Sequence, residues 1–303
     1  MRRLVLTCLL WAGLLLCVIA VRRYWHESSA LLAGIGFGGA MVIVVAILLM
    51  WQLAVASWRQ VVVACSGKKI PWRIAARHLT LLLLGKYVPG GVWGFLARLS
   101  DSAAYGSLAV MTAAGLVEQW IGLAMVSLLG GIALAAAYWK CWALLFGAIV
   151  FPLIVLASLR CTSWAIRHLA RYLPARWRQA AGSVSERGWG WPLWWAASLT
   201  MLQVIVILGV AGGVAATAFH FDAYTALAVA GCYGVGIMAG IAAIFMPGGI
   251  LVREAVFVML CRDWITPAEA IALAGGLRLT FTAFDLTAGA GGAFLQFWRR
   301  RHV

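Results

Sequence analysis

Tyr87-Val88-Pro89-Gly90-Gly91-Val92-Trp93 interrupts one long apolar stretch of the chain, and Phe245-Met246-Pro247-Gly248-Gly249-Ile250-Leu251 interrupts another. Proline removes a backbone donor and clashes with the preceding turn, while the glycines release the helical dihedrals, so each site should end one helix and begin the next. In hydrocarbon such a break survives only where protein or a wet cavity satisfies the freed polar groups. Two breaks in matched apolar contexts predict paired broken helices, the arrangement from which many secondary transporters build their sites. The competing reading is a pair of ordinary kinks, which proline and glycine also produce in membrane helices.

Composition sets the class. The 303 residues are 64% hydrophobic and 11% charged, with 17 Trp, and the mean hydropathy is +0.96. These values lie far outside the range of a soluble domain and predict an all-α, polytopic integral membrane protein. The net charge of +15 could suggest nucleic acid. However, the Lys and Arg residues cluster in short segments between apolar runs and no groove-reading motif accompanies them, so topology accounts for the charge and no nucleic-acid partner is expected. The seven cysteines are scattered singly, without metal-ligand spacing, and no metal or other cofactor is implied.

Allowing about 20 apolar residues per crossing, the expected spans are Leu4 to Val21, Ala30 to Ala56, Leu108 to Tyr138, Trp142 to Ser158, Leu193 to Phe219 and Ala268 to Phe297. Ile74 to Leu99 and Tyr224 to Leu260 carry the two breaks, giving about eight helical spans in all. Three basic segments should face the cytoplasm: Arg59 to Arg77, Arg160 to Arg187 and Arg299 to Arg301. With both termini inside a cytoplasmic (inner) membrane, the count closes only if the two broken segments re-enter from opposite sides. That implies an inverted repeat within a single domain of residues 1–303, with halves of residues 57–140 and 191–303. Arg22, Arg23 and Lys140 then fall outside, against the positive-inside trend. Between Trp164 and Leu173, Arg167, His168 and Arg171 share one stripe of an amphipathic helix expected to lie along the inner leaflet.

Few charges remain inside apolar sequence, and a membrane-central charge costs at least about 2.5–3.5 kcal/mol on insertion scales, so each should face a partner or cavity. Glu118, Glu254 and Asp285 are the informative acids, and Glu118 and Arg278 form an expected pair. Backbone N–H groups at the start of a half-helix carry positive partial charge and suit a phosphate. Lys86, Arg98 and Arg253 lie close enough in sequence to the breaks to add full charges. The expected substrate-binding set is therefore Lys86, Gly90, Gly91, Arg98, Gly248, Gly249 and Arg253, with Glu118, Glu254 and Arg278 in gating or coupling. Snorkelling to the interface is the alternative for Lys86 and Arg98. No catalytic residue is assigned, because the five His are dispersed and no nucleophile, zincin or Walker sequence occurs.

Four stretches carry a family resemblance: Gly85-Lys-Tyr-Val-Pro-Gly-Gly-Val-Trp-Gly-Phe-Leu-Ala-Arg98, Val117-Glu-Gln-Trp-Ile-Gly-Leu123, Met246-Pro-Gly-Gly-Ile-Leu-Val-Arg-Glu254 and Leu277-Arg-Leu-Thr-Phe281. In this order they resemble the flippase-like transmembrane domain of lysylphosphatidylglycerol synthases. The resemblance implies lipid translocation between leaflets and re-entrant helices, with Lys86, Pro89, Gly90, Arg98, Glu118, Pro247, Gly248, Gly249, Arg253, Glu254 and Arg278 at matching positions. The chain departs from the pattern at Gln119, where the family often has Arg, at Leu251, where it has Gly, and near Asp285, where a proline is common. No aminoacyl-transferring domain accompanies it, so lysyl transfer is not expected. The expectation is an ATP-independent translocase of an anionic phospholipid or polyprenyl-linked saccharide. Its partners are membrane lipids and, as a further class, envelope-biosynthesis enzymes. An embedded glycosyl- or acyltransferase and an accessory scaffold are the alternatives.

Overall fold

The computed structural model describes residues 2–85, 93–101, 105–139, 190–242, 249 and 252–300, with backbone alone at 2–33, 93, 100–101, 286 and 290–300. Every regular element among them is an α-helix, in the order α1 (Arg2–Ser66), α2 (Trp72–Gly85), α3 (Trp93–Asp101), α4 (Leu108–Trp139), α5 (Trp191–Phe219), α6 (Ala223–Ala242), α7 (Val252–Cys261) and α8 (Pro267–Arg300). Five stretches are long and apolar enough to cross a membrane: Gly34–Ser66, Leu108–Trp139, Trp191–Phe219, Ala223–Ala242 and Pro267–Gly289. Their outward faces carry Phe37, Val42, Val45, Leu116 and Trp191 in the open, the reverse of a soluble bundle and the pattern of a multi-pass membrane protein.

The expected spans Leu4 to Val21 and Ala30 to Ala56 both fall on α1, which is two helices joined at Gly36, so the joint lies inside the second expected span and not between the two. Gly36, at φ 65° and ψ 175°, breaks it with a conformation only glycine adopts readily. The expected span Trp142 to Ser158 and the amphipathic segment Trp164 to Leu173 lie outside the described residues.

Both broken segments divide as helix, gap and short helix. α2 stops at Gly85 and α3 starts at Trp93; α6 stops at Ala242 and α7 starts at Val252. The nine described residues of α3 and ten of α7 span about 14–15 Å, half the hydrocarbon thickness. Capping fixes the other joints. Asp222 accepts the Tyr224 N–H (3.1 Å) and the Thr225 hydroxyl at the start of α6. Thr266 and Glu269 form a reciprocal capping box at the start of α8, where Pro267 occupies the first helical position and donates nothing.

Small residues set the packing. A Cβ on Gly231 of α6 would stand 2.6 Å from the Leu134 nitrogen and 2.9 Å from the Gly130 oxygen of α4. Gly234 approaches Gly130 and Val126 in turn, so α4 and α6 cross antiparallel at backbone contact. Gly34 meets Ala218 while the Ser57 hydroxyl reaches the Ala196 carbonyl (3.1 Å), which sets α1 antiparallel to α5. Two apolar clusters result. One joins Trp58, Val61, Leu79, Met111, Val117 and Leu208, and the other joins Val210, Tyr233, Phe257, Leu273 and Leu277; α5 contributes to both.

Candidate functional site

Each apolar cluster encloses an ion pair next to a break. In the first, Phe95 of α3 covers Gly115 of α4, where any side chain would collide with its ring. One turn further along both helices, Arg98 Nη1 meets Glu118 Oε2 at 2.7 Å. The Arg98 side chain is 1% exposed and that of Glu118 16%, so the pair is held largely away from solvent. The guanidinium carbon lies over the Trp58 ring of α1, 3.1 Å from its centroid, and the Trp58 indole N–H donates to His78 Nδ1 of α2 at 3.2 Å. A cation, a π-face and a carboxylate from three helices thus converge on one buried group. Among the described residues Arg98 Nε and Nη2 have no hydrogen-bond partner, which leaves two buried donors unused.

The second pair has the opposite polarity. The short helix after the break now supplies the acid, Glu254, and the following long helix supplies the cation, Arg278. Arg278 Nη1 and Glu254 Oε1 are 3.6 Å apart, an ionic contact beyond hydrogen-bond distance, and Glu254 Oε2 is buried with no hydrogen-bond partner among the described residues. Arg253 beside it turns to Tyr233 of α6, bonding the hydroxyl and covering the ring with its guanidinium carbon 4.4 Å from the centroid. Phe257 and Phe281 flank Tyr233 at 5.8 and 6.2 Å between centroids.

The expected pair Glu118–Arg278 is therefore corrected: each takes a partner from the short helix that precedes its own long helix in the chain. Arg98 is buried under Trp58, and snorkelling does not describe it. Gly249 sits at φ 67° with its Cα packed on Gly240, so it needs both the left-handed conformation and the missing Cβ. Lys86, Pro89, Gly90, Gly91, Pro247 and Gly248 lie outside the described residues.

Sequence reasoning missed Trp58, His78 and Tyr233, the groups that hold the two arginines. It singled out Asp285 without giving it a role. Arg278, Thr282 and Asp285 recur at helical spacing along one buried face of α8. Further along, Gly289 packs on Leu84, one residue short of the end of α2. α8 thus runs from the second ion pair toward the first break. Among the described residues no cluster of three or more His, Cys, Asp and Glu side chains gathers. Comparison with protein-family models, curated proteins and solved structures finds no match.

Proposed function

We propose that this protein is a lipid translocase that moves an anionic phospholipid or polyprenyl-linked saccharide between leaflets without ATP hydrolysis. The observation that carries this reading is Arg98: a nearly fully buried guanidinium, five residues after α3 begins, with Nε and Nη2 unengaged. Such donors in a membrane interior favour an anionic oxygen, and a phosphate offers several. Arg253 is the corresponding cation after the second break, held by Tyr233 as Arg98 is held by Trp58.

The two arrangements share a plan: a short helix follows the break, its arginine lies on an aromatic from a long helix earlier in the chain, and an ion pair ties it to the next long helix. This likeness supports an inverted repeat whose halves alternate access to the two leaflets. It fits the resemblance to flippase-like domains of lysylphosphatidylglycerol synthases, to which we assign the chain. On this reading the protein sits in the cytoplasmic membrane with both termini inside.

The test is leaflet-resolved movement of phospholipids and polyprenyl-linked sugars in proteoliposomes, comparing wild type with Arg253→Ala and Glu118→Gln. Faster movement of an anionic lipid by wild type than by either variant supports the reading. Equal rates in protein-free, variant and wild-type vesicles across the panel overturn it.

A further inference from the structure

α6 and α7 form a close antiparallel hairpin with a regular register. A Cβ on Gly240 would stand 3.1 Å from that of Arg253, and one on Gly236 would stand 3.0 Å from the Arg253 oxygen and 3.4 Å from the Phe257 Cβ. One turn beyond Gly236 and Phe257 along the hairpin, Cys232 comes opposite Cys261, and there the two thiols share a hydrogen bond. Both are free cysteines, 0% exposed in the same apolar cluster. The chain between them holds the whole second break, Pro247 to Gly249, with Arg253 and Glu254 behind it.

Their place in the bundle bears on their chemistry. Because α5 runs antiparallel to α1, and α7 to α6, the start of α6 and the turn after Cys261 lie on the face opposite the exposed Lys68, Lys69 and Arg73. With that basic corner in the cytoplasm, the Cys261 end faces the outer compartment, where disulfides form and persist. Exposed Arg262 and Asp263 follow Cys261 directly.

We propose that Cys232 and Cys261 are a redox pair whose disulfide pins the last turn of α7 to α6. The reaction is exchange with a disulfide of the outer compartment. The Cys261 thiolate attacks that disulfide and expels one of its sulfurs as thiolate; the Cys232 thiolate then attacks the mixed disulfide and expels the other. One disulfide forms, one is reduced to two thiols, and those thiols take up the two protons that the cysteines give up. Packing shuts both thiols away from a reagent, so exchange waits until the end of α7 parts from α6, and the new bond then holds the hairpin closed. Resting on the translocase reading above, this staple stops lipid movement, because the short helix carrying Arg253 and Glu254 no longer shifts against α6.

The experiment treats full-length protein in proteoliposomes with 4,4′-dithiodipyridine and then with dithiothreitol. Peptide mapping after alkylation in denaturant should find Cys232 and Cys261 joined to each other after the first reagent and separate after the second. Movement of a short-chain NBD-phosphatidylglycerol, with leaflets distinguished by extraction into albumin, should fall to the protein-free rate on oxidation and recover on reduction. Cys261→Ser should move lipid through both treatments. Thiols that remain unjoined, or that join other cysteines, overturn the pairing. A mapped disulfide with lipid movement unchanged overturns the staple and leaves the translocase standing. If reduced wild type moves lipid no faster than protein-free vesicles, the translocase and the staple's effect on it fall together, while the peptide map alone decides the redox pair. The wild-type map and rates decide the matter even if the variant does not fold.

Discussion

Arg98 Nη1 and Glu118 Oε2 lie 2.7 Å apart between the short helix after the first break and the long helix that follows it, and the Trp58 ring covers the other side of the guanidinium. The carboxylate supplies the counter-charge of this buried cation, and among the described residues the Arg98 Nε and Nη2 have no hydrogen-bond partner.

Removing the carboxylate leaves the cation uncompensated. Glu118→Ala should destabilise the fold by about 3–5 kcal/mol, read as a lower midpoint of thermal aggregation in detergent. Glu118→Gln, which keeps a hydrogen-bond acceptor, should lose less.

Trp58 acts through both its face and its N–H. Trp58→Phe keeps a π-face for Arg98 and deletes the bond to His78, an expected loss of about 1 kcal/mol. Trp58→Leu also removes the cation–π contact and should cost at least about 1–2 kcal/mol more. Equal midpoints for the two variants would show that the ring contributes nothing.

At the crossing of α4 and α6, Gly231→Ala sets a methyl 2.6 Å from backbone, where no rotamer can relieve it. A loss of about 1–3 kcal/mol is expected. Gly131→Ala, with nothing within 4 Å, should be neutral or gain up to about 1 kcal/mol from helix propensity. Thermal midpoints of the two variants check the contrast.

The cap of α6 predicts a pH effect. The Thr225 hydroxyl, and then backbone N–H groups, hold the Asp222 carboxyl below its usual range despite full exposure. A carboxyl lowered in the folded state adds stability above its unfolded value and loses it as pH falls through the folded one. Asp222→Ala should therefore be less stable than wild type at neutral pH, and the gap should close as acid titrates Asp222. A gap that persists unchanged into strong acid would contradict the assignment.

Backbone punctuation was legible in the sequence, and side-chain partnership was not. The Pro-Gly-Gly motifs located both interruptions, because proline and glycine act locally: the helices stop at Gly85 and Ala242 and resume at Trp93 and Val252. Arg22 and Arg23 marked the expected end of the first span. They contain no helix breaker, so α1 runs through them and yields only at Gly36. Polarity reports depth in the membrane; it does not end a helix. Glu118 and Arg278 were recognisable as buried charges because hydrocarbon makes any charge conspicuous. Their true partners depend on how α3 and α7 are rotated against α4 and α8, which Phe95 on Gly115 and Gly249 on Gly240 determine through tertiary packing. Trp58 gave no signal as one of 17 Trp.

The central claim is the proposal that Arg98, at its own position, receives the anion through Nε and Nη2, the donors that its Nη1 contact with Glu118 leaves over. The most direct measurement is dithionite-resolved movement of NBD-phosphatidylglycerol and an NBD-labelled polyprenyl phosphate by Arg98→Glu and by the swap Arg98→Glu with Glu118→Arg, alongside thermal midpoints. The account predicts that the swap recovers stability over the single variant yet leaves lipid movement at the protein-free rate. A swapped protein that moves either lipid as fast as wild type would contradict it.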